Sequence, residues 1–166
     1  MPLVTAQNHI KGLLDALSVP GPSGIEPLHA FITPPDPYTE SAPAAYIWPA
    51  RGTEARQSLP RNRGGVNGAW KTVKQDIEVY LVWFGSDSDP DADSAFPSIV
   101  DAVLNALRTS PDPAIVTDPD SGMTVELCGV GEDMSWQLGP VRSVADERYL
   151  RYDALVRVPF SEFIQA

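Results

Sequence analysis

The segment GSDSDPDADS, residues 85–94, places Asp87, Asp89, Asp91 and Asp93 at every second position. That is the spacing by which a chain wraps oxygen ligands around a hard cation. A calcium-binding EF-hand loop takes carboxylates at its positions 1, 3 and 5, glycine at 6 for the sharp turn, and a bidentate glutamate at 12. Counted from Asp87, the first three requirements are met, but position 6 is Ala92 and position 12 is Ser98. Pro90 also fixes φ inside the loop and removes a backbone donor. The residues therefore predict a solvated acidic loop and not a tight calcium site.

No other group of residues nominates chemistry. The chain has no GxSxG, HExxH, CxxC, phosphate-binding glycine loop or dinucleotide fingerprint. Two histidines and the single Cys128 are too few for a zinc site, and His9 reads as a packed or surface residue. Asp118 and Asp120 could pair as an acid and a base, but proline and glycine around them describe a turn. The expectation is no catalysis, no metal and no cofactor.

The elements that would carry these residues follow from periodicity. With 166 residues, 43% of them hydrophobic, the chain is long enough to bury one real core. No apolar run approaches a membrane span, and MPLVTAQNHI lacks the basic and apolar regions of a secretory signal. Thr5 to Leu17 reads as an amphipathic helix with Ile10, Leu13, Leu14 and Leu17 on one face and Thr5 as its cap. Pro20 and Gly21 stop it. Lys71 to Phe84 is the clearest strand: Val73, Ile77, Val79, Leu81 and Trp83 point one way, Lys74, Asp76 and Glu78 the other. Ala95 to Arg108 is a helix whose stripe is Phe96, Ile99, Val100, Val103, Leu104 and Leu107, with Pro97 in its first turn and Asp93 or Ser94 as cap. Ile115 and its neighbours (114–117) and residues 123–129 form a hairpin about a turn at Asp118–Gly122. Residues 129–146 read as a loop holding Met134 and Trp136. Arg148 to Pro159 is a last strand, with Leu150, Tyr152, Ala154, Val156 and Val158 inward and Arg151, Asp153 and Arg157 outward. The fold class is α+β: a mostly antiparallel sheet with two helices packed on one face, plus a proline-rich extended arm and long loops, in a single domain over 1–166.

Residues 18–68 contain that arm and a loop. Nine prolines between Pro20 and Pro60 oppose regular helix and remove sheet donors, yet Ile25, Leu28, Phe31, Tyr38, Tyr46 and Trp48 are spread among them. Ala45 to Trp48 reads as a short strand. Residues Ile25 to Arg63 are expected to lie against an adjacent subunit or another partner, with folding back over their own sheet as the alternative. Aromatic and arginine side chains are the usual anchors of interfaces, which nominates Tyr38, Trp48, Arg61, Arg63, Arg151 and Arg157. Net charge is −10, and thirteen acids stand against Arg108 alone between residues 76 and 133. Such a chain should repel nucleic-acid phosphates.

Five stretches together resemble the tail terminator (tail-completion) proteins of long-tailed bacteriophages: the helix Ile10–Leu17, the proline-rich stretch ending in AYIWP at residues 45–49, the strand QDIEVYLVW at 75–83, the helix opening FPSIVDAV at 96–103, and the closing RYLRYDALVRV at 148–158. The resemblance implies a small α+β subunit of the virion neck that forms a hexameric ring, caps the tail tube at full length and joins it to the head-side connector or stopper. It implies assembly in the host cytoplasm, partners in the tail tube and connector, no membrane, and DNA passing through without specific binding, with the loop of Asp87, Asp89, Asp91 and Asp93 facing the channel or a neighbouring ring. Another head–tail connector or neck ring protein is the nearest alternative, and an acidic small-molecule or calcium-binding domain the unrelated one.

Overall fold

The computed structural model describes residues 2–21, 24–33, 43–57, 70–86, 91–109, 115–117, 124–127, 134–144 and 149–165. At its centre two long strands, β5 (Trp70–Ser86) and β10 (Tyr149–Gln165), pair antiparallel along their whole length, from Tyr149 opposite Ser86 to Gln165 opposite Trp70. β4 (Ala44–Gln57) lies antiparallel on the other side of β5, and β3 (His29–Phe31) adds to it in parallel. On its free side β10 receives three short antiparallel strands in turn: β9 (Arg142–Val144), β8 (Ser135–Leu138) and β7 (Thr124–Leu127). β6 (Ile115–Thr117) pairs with β7, the expected hairpin. A separate two-stranded hairpin joins β1 (Ser18–Gly21) to β2 (Gly24–Pro27). Gly24, at φ +123°, follows its turn in a region that other residues rarely enter.

The period-two pattern of β5 and β10 divides the sheet into two faces. Ile77, Val79, Leu81 and Trp83 of β5 and Tyr152, Ala154, Val156 and Val158 of β10 are all buried in one cluster. Both helices lie on that face: Ile10 and Leu14 of α1 (Pro2–Asp15) and the expected stripe of α2 (Ala92–Arg108) complete the core. The fold is thus the α+β arrangement the sequence predicts, a mostly antiparallel sheet with two helices on one side.

Several boundaries move, each for a physical reason. α2 begins at Ala92, three residues early, because Ala92 itself is buried against the sheet. Its N-cap is therefore Asp91, whose side chain makes no capping bond. The Asp91 carbonyl instead accepts from the Ser94 and Ala95 amides at 3.0 and 2.9 Å. Pro97 then stands inside the helix and not in its first turn. The expected cap Asp93 has another partner: its Oδ1 accepts the Tyr152 hydroxyl at 2.7 Å. Tyr152 in turn packs between Trp83 and Phe96, ring centroids 5.2 and 5.4 Å away, pairs of a kind worth about 0.5–1.5 kcal/mol each beyond the area they bury. This aromatic group fixes the start of α2 on the sheet. α1 starts at Pro2, ahead of the expected Thr5, and the loop expected over 129–146 contains β8 and β9.

The arm also needs correction where it is described. Leu28 and Ala30 are core residues, as are Ala45 and Ile47, so those parts of 25–63 fold into their own subunit. Hydrogen bonds fasten them there. The Trp83 indole donates to the Pro20 carbonyl at 2.8 Å, the Leu28 amide to Leu17 and the His29 amide to Pro43, each at 3.0 Å. From α1, Gln7 reaches the buried Ile47 carbonyl at 2.9 Å, and Asp15 Oδ1 accepts the Ala30 amide of β3 at 2.9 Å. Proline removes a donor but not an acceptor, which is why Pro20 and Pro43 can still take part.

Two outcomes test this fold. Leu104, 1% exposed, should cost about 2–5 kcal/mol when replaced by alanine, read from denaturant unfolding; an unchanged midpoint would show that α2 is not core. Asp15 supplies a pH signature. Burial alone would raise its pKa, but the bonds from Lys11 and the Ala30 amide, with the charges of Lys11 and His29, bring it below the ordinary 3.8. A carboxyl with a depressed folded pKa stabilises above the unfolded value and loses that contribution as pH falls through the folded one. The melting temperature of Asp15→Asn should therefore lie below that of the native chain at neutral pH and converge on it in acid below pH 3.8; a gap that persists unchanged would contradict the assignment.

Candidate subunit interface

The face of the sheet opposite the helices carries three of the nominated residues, Trp48, Arg151 and Arg157. Cross-strand register sets them in rows across β4, β5, β10 and the short strands, neighbours about 5 Å apart. One row is Trp48, Glu78, Arg157 and Ser135. The next is Tyr46, Tyr80, Leu155 and Gln137. Ala44, Val82 and Asp153 follow, then Phe84, Arg151 and Arg142. Trp48, Arg151 and Arg157 thus share one face although more than a hundred residues separate the first from the last. Tyr38, Arg61, Arg63, Asp87 and Asp89 lie outside the described residues.

This face is not uniformly polar. Ala44, Tyr46, Val82 and Phe84 are buried in a second apolar cluster with Phe31 and Tyr80 against it, and the Phe31 and Tyr46 rings stack at 5.7 Å. Trp48, at the start of the bulge between Pro49 and Arg51, is 43% exposed. Arg157 pairs with Glu78 at 2.9 Å and remains mostly in solvent.

Arg151 is held more firmly. Its Nε donates to Asp153 Oδ1 at 2.9 Å and its Nη2 to the Tyr80 hydroxyl at 3.2 Å. Asp153, expected to face outward into water, is on the expected face but only 5% exposed. It is satisfied because the guanidinium lies over it. Burial works to lower the Arg151 pKa, but the bonds and charges of Asp153 and Tyr80 outweigh it and raise the value. Burial, aided by Asp153, pushes the Tyr80 phenol up against the opposing pull of Arg151. Beside this group an open hollow of about 250 Å³ is bounded by Gln137, Gly139, Pro140 and Arg142. Gly139 donates its amide to the Asp153 carbonyl at 2.8 Å; a side chain there would start 3.2 Å from the Asp153 Cβ, so glycine lets the end of β8 come this close.

At the acidic segment, Asp91 and Asp93 occupy the exposed start of α2. Among the described residues no group of three or more histidine, cysteine, aspartate or glutamate side chains could hold a metal ion. No described helix is long and apolar enough to cross a membrane. The sequence reading missed β8, and with it the exposed side chains of Trp136 and Leu138, 53% and 49% accessible. Its alternation of Ser135, Trp136, Gln137 and Leu138 was the available signal. No protein-family model matches the chain, and no curated protein matches it significantly.

The geometry separates two ion pairs. Asp153→Ala should cost about 1–3 kcal/mol, because it strands a partly buried guanidinium. Glu78→Ala, whose partner is solvated, should change stability by less than about 1 kcal/mol. Chemical denaturation of both variants checks the order, and equal losses would contradict it.

Proposed function

We propose that this chain is a structural virion protein, a tail terminator that assembles into a hexameric ring, caps the phage tail tube and joins it to the head-side connector. The reading rests first on the sequence resemblance. The structural observation that supports it is the face of the sheet away from the helices, where Trp48, Glu78 and Arg157 stand in one row beside an aromatic cluster. Such a surface offers anchors of the kind that interfaces use on strands rigidly held from behind. The acidic balance of the chain suits a channel wall past which DNA must slide, since like charge repels phosphate. Capping is then a matter of geometry: a ring seated on the last tube layer covers the surface to which the next layer would add.

Loss of the gene in its parent phage should give tails of uncontrolled length that fail to join heads, visible by negative-stain microscopy, and the purified protein should form rings. Normal tails in its absence would overturn the reading. A thermal shift on adding millimolar calcium, the weak range of carboxylate sites, would favour the calcium-binding alternative instead.

A further inference from the structure

Among the described residues six large hydrophobic side chains stand exposed, and they are not evenly spread. Four of them are close in the chain and 44–53% accessible: Trp136 and Leu138 of β8, Val141 just before β9, and Tyr149 at the start of β10, the last on the opposite face. Trp136 and Leu138 oppose Val156 and Ala154, which are fully buried under the helices. The apolar face of the sheet therefore continues onto β8, and the helical layer does not cover it there. Met134, just before β8, is the last residue of this stretch to pack on the core.

Among the described residues the outer edge of β8 is also open: the strand pairs only with β10, and SWQL has no lysine, proline or bulge to discourage further pairing. Proteins ordinarily blunt such edges. β3 at the far side of the sheet does so: the Asp15 carboxylate, itself paired with Lys11, takes up the outward Ala30 amide. An exposed apolar strip along an unblunted edge is the signature of an interaction surface.

We propose that the β8–β9 strip is where a second copy of this chain docks, with Trp136 and Leu138 as anchors. Charge selects that occupant. The chain carries 22 acids against 12 basic residues, so two copies repel over most approaches. Residues 134–144 contain no acid and one cation, the exposed Arg142, so the strip itself sets no carboxylate against its copy. Arg142 at the margin meets the acidic remainder of the neighbour. The same net charge excludes nucleic acid and anionic lipid surfaces as occupants. The inference rests on the ring reading for the closed form of the assembly, but contact between copies is measured independently of any tail.

Sedimentation velocity of the full chain at micromolar concentrations should show self-association. The double variant Trp136→Glu with Leu138→Glu should weaken it by more than about tenfold, as loss of interface anchors does. Because both side chains are half exposed, the melting temperature should hardly move. Leu138→Ser alone, a milder change, covers the case in which the double variant misfolds, and should weaken association in the same direction. Ile25→Ser, at an exposed residue outside the strip, should leave it intact. A native chain that stays monomeric, strip variants that associate like the native chain, or a monomer captured only by tail tubes would each overturn the proposal. Strip-dependent association in a chain whose loss leaves phage tails normal would sink the ring reading and leave this inference standing.

Discussion

Seventeen residues of β10 pair with seventeen of β5 without a break in register, and every other element takes its position from that ladder. At about 3.3 Å per residue the two strands run some 55 Å, longer than the usual strand. Over Ile77–Trp83 and Tyr152–Val158 their alternation puts a row of apolar side chains on each strand toward the helices. A slip of a single residue would turn Val79, Leu81, Ala154 and Val156 into water, so the register is held by the whole core at once. α2 answers with a stripe that meets this face, and the Trp83–Phe96–Tyr152 group with the Tyr152–Asp93 bond fixes where along the sheet it sits.

The two faces of the ladder then serve different ends. The helix side is covered over β4, β5 and β10, where polar groups find partners: Gln7 on the Ile47 carbonyl, the Trp83 indole on Pro20. On the other side the side chains stand in rows of aromatic and charged residues, and buried Asp153 is satisfied by Arg151 from the same strand. That pair lies toward the Ser86 end of the ladder, while the Arg157–Glu78 pair at its middle stays solvated. On the proposed reading, rigid strands with displayed side chains are what lets a subunit join its neighbours.

Legibility followed the length of the periodic signal. β5, β10 and the stripe of α2 were readable because long alternation or helical spacing leaves little freedom. Arg151 and Arg157 could be nominated as outward residues by the same count, although their partners Asp153, Tyr80 and Glu78 became visible only with the register between strands. β8 escaped because four residues of alternation, SWQL, cannot be told from a loop until a partner strand is known. The proline-rich segment misled for a different reason. Proline argues against donors, but Pro20 and Pro43 serve as acceptors, and Leu28 and Ala30 between them supply core. Asp93 looked like a cap by position, and the hydroxyl that claims it comes from a residue 59 positions away.

The central claim is that one chain completes its own core and keeps the β8 edge for association. Amide hydrogen exchange measured at two protein concentrations tests it most directly. In dilute protein the amides of α2, β5 and β10 should be strongly protected while the outward amides of β8, those not bonded to β10, exchange quickly. At high concentration protection should appear in β8 and leave the core unchanged. A core that exchanges freely in dilute protein, or a β8 whose exchange ignores concentration, would contradict the account.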